Sequence, residues 1–278
     1  MKVRILTAIG MAVVGIPILI FSEYIIFAIT VALLAVTALF EMFRVLGIEK
    51  NYFLSAPAYV FAMALPILAY YYAEKYTYGF LLLSVAALFL YLIYTFFVAV
   101  FKRGKMKFTE LSMAFSASAY IIFSFTAISF MRYMDTKAGI WNFIIILVSA
   151  WGSDVFAYFT GRFFGRHKLI PEVSPKKTVE GSIGGVVCAT GLAILYGFIV
   201  SRATELVPNY VILGICGFVL SAVSQVGDLI ASLIKREHGI KDYGNIFPGH
   251  GGVMDRFDSV LSITTILMAI CILFPPFA

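Results

Sequence analysis

A chain of 278 residues that is 62% hydrophobic and only 13% charged, with a mean hydropathy of +0.97, lies far above the apolar share of a soluble globular domain. Such a chain belongs in a bilayer, and no soluble domain, long linker, low-complexity tract or internal repeat interrupts it. The formal net charge of +6 suits a protein seated on anionic lipid. Its 27 Phe and 16 Tyr read as lipid-facing surface and interfacial anchors, not as a base-stacking platform, so no nucleic-acid partner is expected.

Crossing the hydrocarbon core as a helix takes roughly 17 to 25 apolar residues. Runs of that kind occur near 5–21, 24–46, 52–73, 79–101, 109–131, 140–162, 183–203, 208–234 and 255–274. The expected fold is therefore all-α: a polytopic integral membrane protein of about nine transmembrane helices, forming one membrane-embedded domain over 1–278. The first run follows Lys2 and Arg4 in the manner of a secretory signal. It has no small-residue cleavage pattern before Ser22, and a second apolar run follows at once, so it reads as a retained helix. Cys188, Cys216 and Cys271 each fall inside a run without metal or redox spacing and read as core residues.

Basic residues collect on the cytoplasmic side of short loops. With the N-terminus inside, cytoplasmic segments take 17 of the 21 basic residues: Lys2 and Arg4; Arg44 and Lys50; Lys102, Arg103, Lys105 and Lys107; Arg162, Arg166, Lys168, Lys176 and Lys177; Lys235, Arg236, Lys241 and Arg256. Lys75, Arg132, Lys137 and Arg202 remain outside. This asymmetry supports both the count and an orientation with the N-terminus and polar loops facing the cytoplasm; the expected location is the cell's inner, cytoplasmic membrane, as a multi-pass protein.

Two segments carry the chemistry. The first, 153–181, holds Asp154, Tyr158 and Arg162 at four-residue spacing on one helix face. Ser174 before Pro175 has the composition of a helix start, aiming backbone N–H groups at an anion, with Lys176, Lys177 and Thr178 adding charge and a hydroxyl. A solvated basic loop explains the lysines equally well. Gly161 and Gly165 read more simply as a close helix contact than as a phosphate cradle.

The second segment, 221–265, is a helix-loop-helix. Ser221, Ser224, Gln225, Asp228, Ser232 and Lys235 recur at three- and four-residue steps along the eighth helix. Asp228 lies about 10 Å of rise inside Lys235, where a carboxylate needs a cation beside it. An interhelical salt bridge is the plain alternative to a metal ligand there. The ninth helix repeats the pattern with Asp255, Asp258 or Ser259, Ser262 and Thr265. Ser221, Ser262 and Thr265 read as helix-packing hydroxyls, while for Asp258 loop orientation and ion binding both stay open.

Between these faces, residues 232–258 crowd eight formal charges and two histidines into 27 positions. Ser232, Lys235, Arg236, Lys241, Asp242, Pro248, His250, Gly251, Gly252, Asp255, Arg256 and Asp258 follow in order. This resembles, position by position, the signature of the phosphatidate cytidylyltransferases, also called CDP-diacylglycerol synthases. The elements on Asp154, Ala157, Tyr158, Gly161, Gly165, Ser174, Pro175, Lys177, Thr178, Glu180 and Gly181 resemble the same family. The resemblance implies an enzyme that transfers CMP from CTP to phosphatidic acid, giving CDP-diacylglycerol and pyrophosphate for phospholipid biosynthesis, with Mg²⁺ as cofactor and a homodimer as assembly. Whether a second, monovalent cation assists stays open.

The chemistry such a reaction requires agrees with these residue types. Substrate charges of about −2 and −4 at about 5 Å repel by roughly 7 kcal/mol even at water's dielectric, so positive charge has to be imported. Asp228 and Asp255, with Asp258, are the expected metal ligands. Lys235, Arg236, Lys241, Asp242, His250 and Arg256 are the expected catalytic set, and Asp154, Tyr158, Ser174, Lys176, Lys177 and Thr178 the substrate-binding set. His250, flanked by Gly249 and Gly251, reads as a phosphate donor or a general acid, and His167 and His238 as bystanders. A CTP-dependent lipid kinase, moving the γ-phosphate, is the main alternative; a membrane transporter is a lesser one.

Overall fold

The computed structural model describes residues 2–102 and 106–277; Arg103, Lys105 and the Lys2 side chain lie outside the description. Nine helices long and apolar enough to cross a membrane are found among the described residues, so the all-α expectation holds. They are α1 (Lys2–Ile20), α2 (Ile25–Val45), α3 (Tyr52–Tyr72), α4 (Thr77–Phe101), α5 (Phe108–Tyr133), α6 (Gly139–Phe164), α7 (Val179–Ala203), α8 (Tyr210–Glu237) and α9 (Met254–Leu273). Each agrees with its apolar run to within four residues. The chain groups into two compact units, one of residues 1–134 and 242–256, the other of residues 135–241 and 257–278.

In the first unit α2, α3 and α5 pack on one another through small residues. Ala28, Ala32, Ala35 and Ala38 of α2, Ala58 and Ala62 of α3 and Ala114 of α5 are all fully buried. Small side chains let helix backbones approach where lipid supplies no hydrophobic drive between helices. Tyr91 of α4 donates its hydroxyl proton to the Leu54 carbonyl at 2.9 Å, tying α4 to α3. The apolar side chains of α1 stay on the surface, as a bilayer allows.

In the second unit α6, α7 and α8 pack together, and glycines set their spacing. A Cβ on Gly217 of α8 would lie 2.7 Å from the Thr190 Cα and 2.9 Å from the Ala193 Cβ of α7. One polar residue joins all three helices. Gln225 of α8 donates to the Ser153 hydroxyl of α6 at 2.9 Å and to the Ser182 carbonyl of α7 at 3.1 Å, and its carbonyl accepts from the Ser182 hydroxyl.

The link between α6 and α7 departs from the expected helix start at Ser174. Ser174–Thr178 is a strand, β2, paired antiparallel with β1 (Lys168–Ile170). The cap of α7 is instead Thr178, extended at φ −123° and ψ 154°, whose hydroxyl accepts from the Gly181 N–H at 3.1 Å. Pro175 lacks an N–H, which a two-stranded edge tolerates, and Thr178 supplies the cap three residues further on. Cys216 and Cys271 are buried, Cys188 is half-buried and all three are free thiols.

Gly217→Val should open the α7–α8 contact and lower stability by about 1–3 kcal/mol, the usual cost of overpacking, read as an earlier unfolding transition in detergent. Gly191→Ala, whose Cβ would meet nothing within 4 Å, is the control expected to unfold like the wild type.

Candidate active site

The second unit gathers Asp154 of α6, Asp228 and Lys235 of α8 and Asp258 of α9. Asp154, on α6, lies within electrostatic reach of Asp228 and Lys177. Asp258, on α9, lies within reach of Asp228, Lys235 and Asp154. Three carboxylates from three helices thus share one region with two ammonium groups. Asp258 is buried, and its Oδ1 accepts from the Ser259 backbone N–H at 2.8 Å. Like charges so placed repel strongly in a medium poorer than water, and cations have to meet them.

Lys177 is one such cation. Its Nζ lies 2.5 Å from the Asp228 carboxylate, and both side chains are about a quarter exposed. The partner that an intramembrane Asp228 demands is therefore delivered by β2 of the hairpin. Thr178 follows as the cap of α7, and glycines bring that cap close to α6: a Cβ on Gly161 or Gly165 would lie 2.8 Å from the Thr178 hydroxyl, and one on Gly181 2.7 Å from the Ala157 carbonyl. The spaced glycines thus serve packing.

Tyr158 and Arg162 share the face expected of them; the Arg162 guanidinium donates to the Tyr158 hydroxyl at 3.1 Å, with both exposed. Lys176 is exposed on β2 and Ser174 half-buried. His167 is more than a bystander to the hairpin. Its Nδ1 lies 2.6 Å from Glu180, whose carboxylate also accepts the Arg166 and His167 backbone N–H groups, closing the hairpin base against the start of α7. Lys235 and Arg236 occupy the last turn of α8, where cations complement the helix dipole. Lys241 is exposed on the loop that follows.

In the first unit the loop from Asp242 to Arg256 is tightly organised. Gly249 and Gly251 adopt φ of +74° and +83°, a region that excludes most side chains. Phe247 N–H donates to the Gly251 carbonyl at 2.9 Å, and His250 N–H to the Phe247 carbonyl at 2.8 Å. The His250 Nδ1 is buried and has no hydrogen-bond partner among the described residues. Asp255, only 7% exposed, accepts from the Tyr243 N–H at 2.7 Å and the Gly252 N–H at 3.0 Å on the same Oδ2. Asp242 and Arg256 are exposed at the ends of the loop.

Sequence reasoning missed Glu41. This residue of α2 is 1% exposed, and its carboxylate accepts the Val253 N–H at 3.1 Å and the Met254 N–H at 2.8 Å. A lone acid inside an apolar run was the available signal, since such a residue needs a partner. What hid it was distance along the chain: its partners are backbone groups more than 200 positions away.

Among the described residues no group of three or more His, Cys, Asp and Glu side chains stands close enough to hold a metal by itself. The donor chemistry nevertheless fits Mg²⁺. Its coordination takes one or two carboxylates and leaves the remaining positions to water and phosphate oxygens, and ligating carboxylates are themselves hydrogen-bonded, as Asp255 and Asp258 are here.

Comparison with known proteins gives one answer. The model of the Cytidylyltransferase family matches residues 2–274. The chain is 35% identical over 272 residues to the phosphatidate cytidylyltransferase of Staphylococcus epidermidis, covering 96% of this chain and 97% of the relative. It is 34% identical over 270 residues to that of Staphylococcus haemolyticus and 35% identical over 274 residues to that of Staphylococcus aureus, with the same coverage. This chain belongs to the cytidylyltransferase family.

Lys177→Met should destabilise the metal-free protein by leaving Asp228 to face Asp154 and Asp258. Asp228→Asn placed in that background should restore part of the loss. Thermal unfolding of the wild type, both single variants and the double variant should return a coupling of about 0.5–3 kcal/mol; strict additivity would show that the pair does not interact in solution.

Proposed function

We propose that this chain is a phosphatidate cytidylyltransferase of the cytoplasmic membrane, with its polar loops on the cytoplasmic side. A phosphate oxygen of phosphatidic acid attacks the α-phosphorus of CTP, the bond to the bridging oxygen breaks, and pyrophosphate leaves as CDP-diacylglycerol forms. No protein nucleophile is required, because the lipid phosphate already is one. The observation that carries this reading is that Lys177 of β2 meets Asp228 of α8 at 2.5 Å, with Asp154, Asp258 and Lys235 of the membrane helices within electrostatic reach: acid for a metal and base for phosphates.

Asp228, Asp255 and Asp258 are the carboxylates we assign to Mg²⁺. Bound there, the ion would screen phosphate oxygens from one another and stabilise the charge that develops on the leaving pyrophosphate. Lys177, released from Asp228 when other cations occupy the site, and Lys235 neutralise substrate phosphates. Arg236 and Arg256 grip phosphate oxygens in pairs, with Lys241 as a further point charge. His250, its Nδ1 without a partner among the described residues, donates to a phosphate oxygen. Asp154 sets the field around Asp228, and Tyr158 holds Arg162 at the cytoplasmic end of α6. A homodimer is the assembly we propose, to be read from the mass of the detergent-solubilised protein.

The lipid-kinase alternative is separated by the fate of the label. Purified protein with Mg²⁺, CTP and phosphatidic acid should move an α-phosphate label, and not a γ-label, into lipid. Lipid labelled only from the γ-position would refute the cytidylyl transfer. Asp228→Asn should reduce transfer by at least about 100-fold while the protein still folds, as expected for loss of a hard anionic ligand; retained Mg²⁺-dependent turnover would remove Asp228 from the metal set.

A further inference from the structure

Glu41 stands outside both constellations that the chemistry singles out, yet its carboxylate accepts two consecutive backbone N–H groups at the end of the signature loop. The start of α9 has three consecutive backbone N–H groups without helical partners, those of Gly252, Val253 and Met254, and orphan donors of this kind need acceptors. Asp255 takes the first at 3.0 Å, and Glu41 takes the second and third at 3.1 and 2.8 Å. One turn further along α2, Arg44 donates to the Tyr243 carbonyl at 2.5 Å, gripping the other end of the same loop.

Glycines make this grip possible. A Cβ on Gly252 would collide with both oxygens of the Glu41 carboxylate, and one on Gly244 would collide with its Oε1. Neither glycine has a positive φ, so neither is there for backbone conformation. Both are there for room. The three N–H groups are therefore consumed by carboxylates and do not form an anion cradle, even though a glycine-rich turn before a helix usually invites that reading.

We propose that Glu41 is a positioning residue for the reaction: from α2 it clamps residues 243–254, and through them sets the orientation of Asp255, His250 and Arg256. The role assigned to those three rests on the cytidylyltransferase reading; the clamp itself rests on the hydrogen bonds. Glu41→Gln keeps the volume but can accept with only one oxygen, and its NH₂ group then faces a backbone donor. Arg44 serves the same loop from its opposite end.

The test compares the full-length wild type, Glu41→Gln, Glu41→Ala, Gly252→Ala and the double variant Glu41→Ala with Gly252→Ala. Amide hydrogen exchange is followed in peptides covering 243–254, alongside kcat and KM for CTP, normalised to folded protein by gel filtration. In Glu41→Gln, exchange should rise in those peptides, and kcat should fall by about 10- to 100-fold, the usual cost of losing a group that orients ligands, with KM changed much less. Gly252→Ala should reduce kcat on its own, yet add little in the Glu41→Ala background, where its Cβ has space. Unchanged loop exchange in Glu41→Gln, an equal loss in KM and kcat, or additive effects of Glu41→Ala and Gly252→Ala would each overturn the clamp. Absence of CMP transfer by the wild type would overturn the reaction instead, leaving exchange to decide the clamp.

Discussion

A carboxylate inside an apolar span is stable only where a cation or a set of donors meets it, and much of this molecule's local structure follows from meeting that demand. In the second unit the answer is an ammonium. Asp228 sits on α8 beside Asp154 and Asp258, and the chain between α6 and α7 turns into a hairpin that brings Lys177 to 2.5 Å from it. The residues around the hairpin then serve that placement. Thr178 caps α7, Gly161, Gly165 and Gly181 make room for the cap against α6, and Glu180 closes the base through His167.

In the first unit the same demand is met by backbone N–H groups. Glu41 accepts the Val253 and Met254 N–H groups and Asp255 those of Tyr243 and Gly252, which together hold the start of α9 and the entry to its loop. The difference has chemical consequences. A carboxylate paired with a lysine can exchange that lysine for another cation, whereas one that accepts backbone N–H groups is held in place by them.

The nine helices were legible because hydrophobic length alone selects them, and the polar stripe of α8 because three- and four-residue spacing puts Ser224, Gln225 and Asp228 on one face. That Asp228 would require a cation was also legible, since burial of charge is a local property. Which cation was not: Lys177 reaches it only through a strand pairing between Lys168 and Thr178 that lies in a segment with the composition of a helix start. Glu41 escaped for the same reason in stronger form, because its partners are amides, which carry no residue identity to read. Gln225 was placed on the right face, but its bonds to Ser153 and Ser182 depend on how three helices pack.

The most direct measurement of the central claim, that Asp228 is an exchangeable acid whose cation can be replaced by a divalent metal, is Mn²⁺ binding followed by electron paramagnetic resonance on the purified protein, with Mn²⁺ standing in for Mg²⁺. The wild type should deplete the free-ion signal, Lys177→Met should deplete it at lower Mn²⁺ because its competitor is gone, and Asp228→Asn should deplete it far less, while Glu74→Gln at an exposed acid should match the wild type. Equal Mn²⁺ binding by the wild type and Asp228→Asn would contradict the account.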